Sequence, residues 1–339
     1  MTVLKPLSEC KVLCTPSTFG RRDPSLKSAL EAAVGEVVYN PFGRALKAPE
    51  VLPLVKDVDG YIAGLDEIDA TVMAAADRLR VIARYGVGID RVDIAAASAR
   101  GIAVTNTPST NSGAVAELTI AFILCLARHL ITANTALRRG EWLVLDGIGI
   151  RGKTVGLIGF GAVGREVAKR LRCFDCRVLA FDPYVERDVA DEHGVSLVPL
   201  ETLLSEADFV SLHAPATDLT IGMVNQEFLG RMKKGAFLIN TARGDLIDEG
   251  ALVTALEDGH LQAAALDCFS HEPVDRDNPL LRLPQVVATP HTAAHTDEAV
   301  NRMGRIAIEN CLAVLRGKRP PNPVNPEVWE QRRGGKNNA

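Results

Sequence analysis

The segment Lys153-Thr-Val-Gly-Leu-Ile-Gly-Phe-Gly-Ala-Val-Gly164 constrains the fold of this chain more than any other. Thr154 to Ile158 is a short apolar run, the composition of a strand buried in a parallel sheet. Gly159, Gly161 and Gly164 follow, and a helical pattern opens at Arg165-Glu-Val-Ala-Lys-Arg-Leu171. In such a strand–turn–helix unit the first glycine permits a tight turn. The second lets the backbone approach a pyrophosphate, and the third lets helix and strand pack closely. Free N–H groups at the helix start, with the helix dipole, favour a bound phosphate. A second strand, Cys176-Arg-Val-Leu-Ala-Phe-Asp182, ends in a carboxylate roughly 20 residues after the first glycine, the spacing of an acid that takes ribose hydroxyls. Asp182 would accept from those hydroxyls and repel a 2′-phosphate, so NAD is expected rather than NADP. The plainer alternative is an acidic strand end that only begins the turn at Pro183.

The chain has 339 residues. Single cores rarely grow past about 250–300 residues, so two domains are expected. Charged residues make up 24% and the net charge is −4, which leaves no footprint for nucleic acid or an anionic membrane. Seven scattered cysteines in a chain that buries its own core point to a reducing, cytoplasmic setting. Cys173-x-x-Cys176 has no second ligand pair, so no metal is expected. The first ten residues lack the apolar core of a secretory signal. Ala114 to Ile131 comes nearest to a membrane span, but it carries Glu117, Arg128 and His129. Its uncharged part, Leu118 to Ala127, falls short of the roughly 20 residues a bilayer needs. A helix apolar on nearly all sides is expected between layers or against a partner subunit.

Strands are expected at Lys11–Thr15, Val37–Tyr39, Gly60–Ala63, Arg80–Arg84 and Ile102–Thr105, alternating with helices at Pro24–Val34, Asp69–Ala76 and Asp90–Ala99. Alternation of this kind implies a parallel sheet covered on both faces. A long apolar helix over Ser112–Arg139 and a looped arm lead into the glycine-rich unit. That unit continues with strands at Phe209–His213, Ala236–Asn240, Ala263–Asp267 and Val286–Thr289. A last helix spans Asp297–Leu315. The fold class is therefore α/β, with two doubly wound parallel-sheet domains. A dinucleotide domain over 107–297 is inserted into a substrate domain made of 1–106 and 298–330, and 331–339 form a mobile tail.

In open parallel sheets the ligand lies beyond the carboxyl ends of the strands. The strand ends of the second domain deliver Arg243, Glu272 and His291. A hydride transfer to a 2-oxo acid needs little else. His291 would protonate the carbonyl oxygen, or in reverse remove the hydroxyl proton. Glu272 would hold the imidazole and favour its charged form. Arg243 would fork onto the carboxylate or carbonyl oxygen, a bidentate match that Lys makes poorly. Backbone N–H groups of Gly86, Val87 and Gly88 are candidates for the remaining carboxylate contact, with Arg84 and Tyr85 beside them.

Jointly, these stretches resemble the NAD-dependent D-isomer-specific 2-hydroxyacid dehydrogenases across roughly residues 10 to 318. They are Tyr85-Gly-Val-Gly-Ile-Asp90, Asn106-Thr-Pro108, Ala114-Val-Ala-Glu117, Gly159–Gly164 with Asp182, Asn240-Thr-Ala-Arg-Gly244, Ala265-Leu-Asp267, Glu272-Pro273 and Thr289-Pro-His291. The resemblance implies two flavodoxin-like domains, a cleft between them, and a homodimer formed through the helix around 112–139. It makes Arg243, Glu272 and His291 catalytic, and places Ala162, Val163, Asp182, His213, Pro215, Thr241 and Asp267 along the NAD site. Asp267 would approach the nicotinamide carboxamide.

Within the family the look is to phosphoglycerate dehydrogenases, through Arg84-Tyr-Gly-Val-Gly88. Two departures count against that substrate. Ala63-Gly64-Leu65 lacks the arginine that can grip a phosphate, and no C-terminal regulatory domain is expected. Glyoxylate or hydroxypyruvate reduction in the same family is the alternative. A non-catalytic NAD-sensing scaffold, as in co-repressors of related fold, is the alternative from another class.

Overall fold

The computed structural model describes residues 5–329. The chain forms two compact units, one comprising residues up to Asn111 with those from His295 on, the other Ser112–Ala294. These boundaries lie a few residues from the expected 106/107 and 297/298. The expected tail over 331–339 lies outside the described residues.

In the first unit, β1 (Lys11–Cys14), β2 (Glu36–Tyr39), β3 (Gly60–Ala63), β4 (Val81–Arg84) and β5 (Ala103–Thr105) form a parallel sheet in the order β2-β1-β3-β4-β5. The order reverses between β1 and β3, where a flavodoxin-like sheet normally opens a crevice. Here that point is filled by a buried polar knot. Asp66 accepts from Tyr61 Oη at 3.1 Å, from the N–H groups of Leu46 (2.8 Å) and Gly64 (3.0 Å), and from the Thr15 hydroxyl.

The second unit holds β6 (Thr154–Ile158), β7 (Arg177–Phe181), β8 (Ser196–Leu197), β9 (Phe209–Leu212), β10 (Ala236–Asn240), β11 (Leu261–Leu266) and β12 (Val286–Ala288). All pairings are parallel, in the order β12-β11-β10-β9-β6-β7-β8. Side chains alternate between two cores. Leu238 and Leu266 pack on one face, while Phe237, Ile239 and Ala265 pack on the other. Burial on both faces is why these strands read as unbroken apolar runs. The order reverses between β6 and β9, so the loops after those two strands flank the ligand crevice.

Two expectations need correction. The helix expected over 112–139 is two helices, Ser112–Ala127 and Leu130–Arg138, bent by 64°. His129 takes a left-handed conformation at φ 52° and breaks the hydrogen-bond ladder between them. The helix Ala48–Val55 is absent from the sequence reading, because it contains Pro49 and Pro53. Pro49 sits in the first turn, where no intrahelical N–H is needed. Among the described residues no single helix is long and apolar enough to cross a membrane.

Candidate active site

The three glycines do different things. Gly159 has φ 95°, and a Cβ there would lie 2.7 Å from the His213 backbone. Only glycine allows this turn from β6 beside the start of the β9 loop. A Cβ on Gly164 would lie 2.4 Å from the Gly159 carbonyl oxygen, so the helix Ala162–Arg172 packs against the turn at contact distance. At Gly161, by contrast, a Cβ would meet nothing within 4 Å. The open space lies where a pyrophosphate would sit above the helix N-terminus, with Ala162 and Val163 as its first residues. Asp182 follows β7 directly and accepts from the N–H groups of Phe160 at 2.8 Å and Tyr184 at 2.9 Å. Asp182 is thus tied directly to the glycine turn.

His213 follows β9, and its Nε2 lies 3.0 Å from the Ser211 hydroxyl. Its Nδ1 is buried without a hydrogen-bond partner. Burial pushes this imidazole down to about 3, so it is neutral. An orphaned ring nitrogen next to the glycine turn and an empty cradle over Gly161 fit a dinucleotide. Pro215 is exposed two residues further along, its carbonyl accepting from the Thr220 hydroxyl at 2.6 Å.

At the other strand ends, the loop after β10 carries Thr241 and Arg243. Asn240 holds this loop from its fully buried position. Its side-chain amide donates to the Arg243 carbonyl at 2.7 Å, and its oxygen accepts from the Ala242 N–H at 3.0 Å. Thr241 is buried, its hydroxyl 2.9 Å from that of Thr119 in the long apolar helix. The Arg243 guanidinium donates to the Ala242 carbonyl at 2.6 Å. A Cβ on Gly244 would lie 1.9 Å from the Phe269 backbone, so the β10 and β11 loops touch with no room for a side chain. This contact brings the arginine loop against the loop that bears Glu272.

Glu272 and His291 form a pair. Nδ1 of His291 lies 2.8 Å from Oε2 and 3.1 Å from Oε1 of Glu272, and both side chains are about one-fifth exposed. Held through Nδ1, the ring keeps its Nε2 away from the carboxylate. Glu272 Oε1 also accepts from the Phe269 N–H at 3.1 Å, which fixes the carboxylate. His271, the neighbouring alternative, is exposed and turned to the Pro273 carbonyl.

Asp267 is fully buried and its two oxygens accept from the Thr289 hydroxyl (2.5 Å) and the N–H groups of Thr292 and Ala293 (both 2.8 Å). It therefore clamps the loop that presents His291, a part that the sequence did not reveal.

In the first unit two expected ligands are otherwise engaged. The Arg84 guanidinium is buried and donates to the carbonyls of Gly88 (2.8 Å), Ala63 (2.9 Å) and Gly64. It holds the Gly86–Gly88 loop to the end of β3 and is corrected from ligand to loop support. Tyr85 donates from its phenol to the Val300 carbonyl at 2.8 Å, and burial pushes that phenol up to about 12. It too is corrected to a structural part. The loop itself is well anchored. The Gly86 carbonyl accepts from the Thr107 N–H at 3.0 Å, and that of Val87 from the Asn106 side chain at 2.9 Å.

A phosphate cradle at the switch point of a doubly wound sheet, with a His–Glu pair at neighbouring strand ends, defines a dinucleotide-dependent oxidoreductase. Residues 120–293 match the family model described as D-isomer specific 2-hydroxyacid dehydrogenase, NAD binding domain. The chain belongs to the D-isomer specific 2-hydroxyacid dehydrogenases, NAD-dependent enzymes that act on CH–OH donors. It is 43% identical over 318 residues to a glyoxylate reductase of Thermofilum pendens, which covers 91% of this chain and 94% of that protein. It is 41% identical over 319 residues to a D-3-phosphoglycerate dehydrogenase of Methanocaldococcus jannaschii, covering 92% of this chain but only 60% of that longer protein. A crystal structure of a protein from Thermus thermophilus superposes with a TM-score of 0.83 at 41% identity, over 93% of this chain and 99% of that one.

Proposed function

We propose that the enzyme interconverts a small, unphosphorylated 2-oxo acid of glyoxylate or hydroxypyruvate size and the corresponding 2-hydroxy acid. The observation that carries the chemistry is the 2.8 Å contact between His291 Nδ1 and Glu272 Oε2. NAD(H), when bound along Gly159–Gly164, Asp182 and His213, supplies the hydride donor or acceptor. His291 delivers a proton from Nε2 to the carbonyl oxygen in reduction, and takes the hydroxyl proton in oxidation. Glu272 keeps the ring oriented and offsets the charge that appears on it. Arg243 grips the substrate carboxylate and polarises the carbonyl. The Gly86–Gly88 backbone is the proposed second carboxylate contact, with Arg84 holding that loop. Residues up to Asn111 and from His295 on would then act as the substrate domain.

An unphosphorylated substrate is favoured because the β3 end reads Ala63-Gly64-Leu65, with no cation, and because the neighbouring Arg84 is committed to backbone carbonyls. Similarity to a phosphoglycerate dehydrogenase over most of this chain supports 3-phosphoglycerate as the second reading. NADH oxidation against glyoxylate, hydroxypyruvate, 3-phosphohydroxypyruvate and a bulkier 2-oxo acid separates the two. The first two should show the highest kcat/KM. A preference for the phosphorylated acid would reverse the assignment, and tight NADH binding without any turnover would support a non-catalytic scaffold.

We further infer a homodimer. Leu130, Ile131, Leu137, Trp142 and Val144 are between 52% and 85% exposed, apolar side chains that a partner subunit would cover. Sedimentation of a monomer at micromolar concentration would refute it. A cytoplasmic location is supported by the seven cysteines, none of which is in a disulfide.

A further inference from the structure

Cys268 follows Asp267 directly and lies under the catalytic pair. Its Sγ, a Glu272 oxygen and a His291 ring nitrogen all lie within 4.8 Å of one another. Cys268 is buried at 2% exposure, and its thiol donates to the Ala242 carbonyl at 3.4 Å. The Glu272 and His291 side chains keep about one-fifth of their surface, so the trio has a closed floor and an open mouth. Thiolate, imidazole and carboxylate together are a ligand set suited to zinc, at about 2.3, 2.0–2.1 and 2.0–2.2 Å respectively.

We propose that Cys268, Glu272 and His291 form a site for a soft divalent cation, Zn2+ in particular, whose binding switches the enzyme off. A tetrahedral centre spaces its ligands roughly 3.5 Å apart, so binding opens the 2.8 Å His291–Glu272 contact and draws the Cys268 Sγ towards it. The fourth position faces the open mouth and takes water.

The consequence for catalysis follows from the protons. In the resting pair Nδ1 carries the proton and Nε2 holds the lone pair. Zn2+ takes the Nδ1 lone pair and the thiolate. The thiol proton leaves to solvent, and the proton displaced from Nδ1 is replaced by one at Nε2. One proton is released per ion bound. The imidazole then presents Nε2–H, which cannot accept the hydroxyl proton. With no imidazolium available, it cannot protonate a carbonyl either. Binding needs only the three ligands, whereas the switching effect rests on the proposed catalytic role of His291.

The test uses the full-length chain, stripped with a chelator and titrated with Co2+. A thiolate-to-cobalt charge-transfer band in the near ultraviolet should saturate at one ion per chain. Zn2+ should displace that band and abolish glyoxylate reduction at the same stoichiometry, with activity restored by chelator. Cys268→Ser and Cys268→Ala should lose the band, keep basal turnover, and raise the half-inhibitory Zn2+ concentration at least about tenfold, since even outer partners of a metal ligand matter by about 10–100-fold. Glu272→Gln, which leaves the thiol in place, should weaken Co2+ binding by a similar factor. A Cys173→Ser, Cys176→Ser double variant should behave as wild type. A band that survives in the Cys268 variants, that vanishes in the Cys173/Cys176 variant, or that never forms overturns the site. If no 2-oxo acid is turned over at all, the proposed function falls while the cobalt band still decides the metal site.

Discussion

The His291 N–H donates to the Asp267 carbonyl at 2.8 Å, and the Asp267 carboxylate holds both residues that follow His291 in the chain. His291 is thereby fixed from behind at φ 51°, a left-handed conformation that costs a non-glycine residue of order 1 kcal/mol. Asp267→Asn keeps the shape but turns an amide NH2 towards one of the N–H donors. Stability should fall by about 1–3 kcal/mol and kcat by about 10–100-fold. The KM for NADH should stay close to wild type. Urea unfolding and steady-state kinetics read both effects, and a change confined to KM for NADH would make Asp267 a cofactor contact instead.

Removing the acid itself should be more severe. His291→Ala is expected to lower kcat for glyoxylate by about 10²–10⁴-fold, the usual worth of a positioned proton donor. NADH binding, followed by fluorescence, should be retained, because His291 lies on a different loop from the glycine turn. Unchanged turnover would remove His291 from the chemistry.

Asp182 accepts from the Phe160 N–H inside the glycine turn as well as standing at the expected ribose position. Asp182→Ala should therefore reduce the preference for NADH over NADPH by about tenfold, roughly 1.4 kcal/mol. It should also weaken both cofactors somewhat, since the turn loses an anchor. The ratio of kcat/KM values for the two cofactors measures the first effect, and a wild type that already prefers NADPH would contradict the assignment.

What could be read from the sequence was what the local chain determines. The strand, the glycine turn and the acid at Asp182 are linked by short-range geometry, so spacing alone exposes them. Arg243, Glu272 and His291 each lie a few steps past a strand, so spacing places them on strand-end loops. Gly244 was invisible as a constraint, because its steric partner Phe269 lies on another strand's loop. Arg84 looked like a ligand for the same reason, since the carbonyls that occupy it come from Ala63, Gly64 and Gly88. The bend at His129 is likewise a tertiary outcome, in a segment whose composition suits one helix. Cys268 carried no signal until folding placed it beneath Glu272 and His291.

His213 gives the chain a pH-sensitive joint beside the cofactor cradle. Burial lowers its imidazole from 6.5 to about 3, so between those values the unfolded chain binds a proton that the folded chain does not. Stability from this residue is fully present above pH 6.5 and is lost progressively as the pH falls towards 3. Between pH 6.5 and 5 the loss should be about 1–2 kcal/mol. The carboxylates held below their usual range, Asp59 and Asp208 among them, start from 3.8 and lose stability only at lower pH. The window from pH 5 to 6.5 therefore isolates the histidine from them. Urea midpoints measured across it should slope upward with pH in the wild type, and the slope should flatten in His213→Gln. An equal slope in both proteins would assign the acid sensitivity to another group.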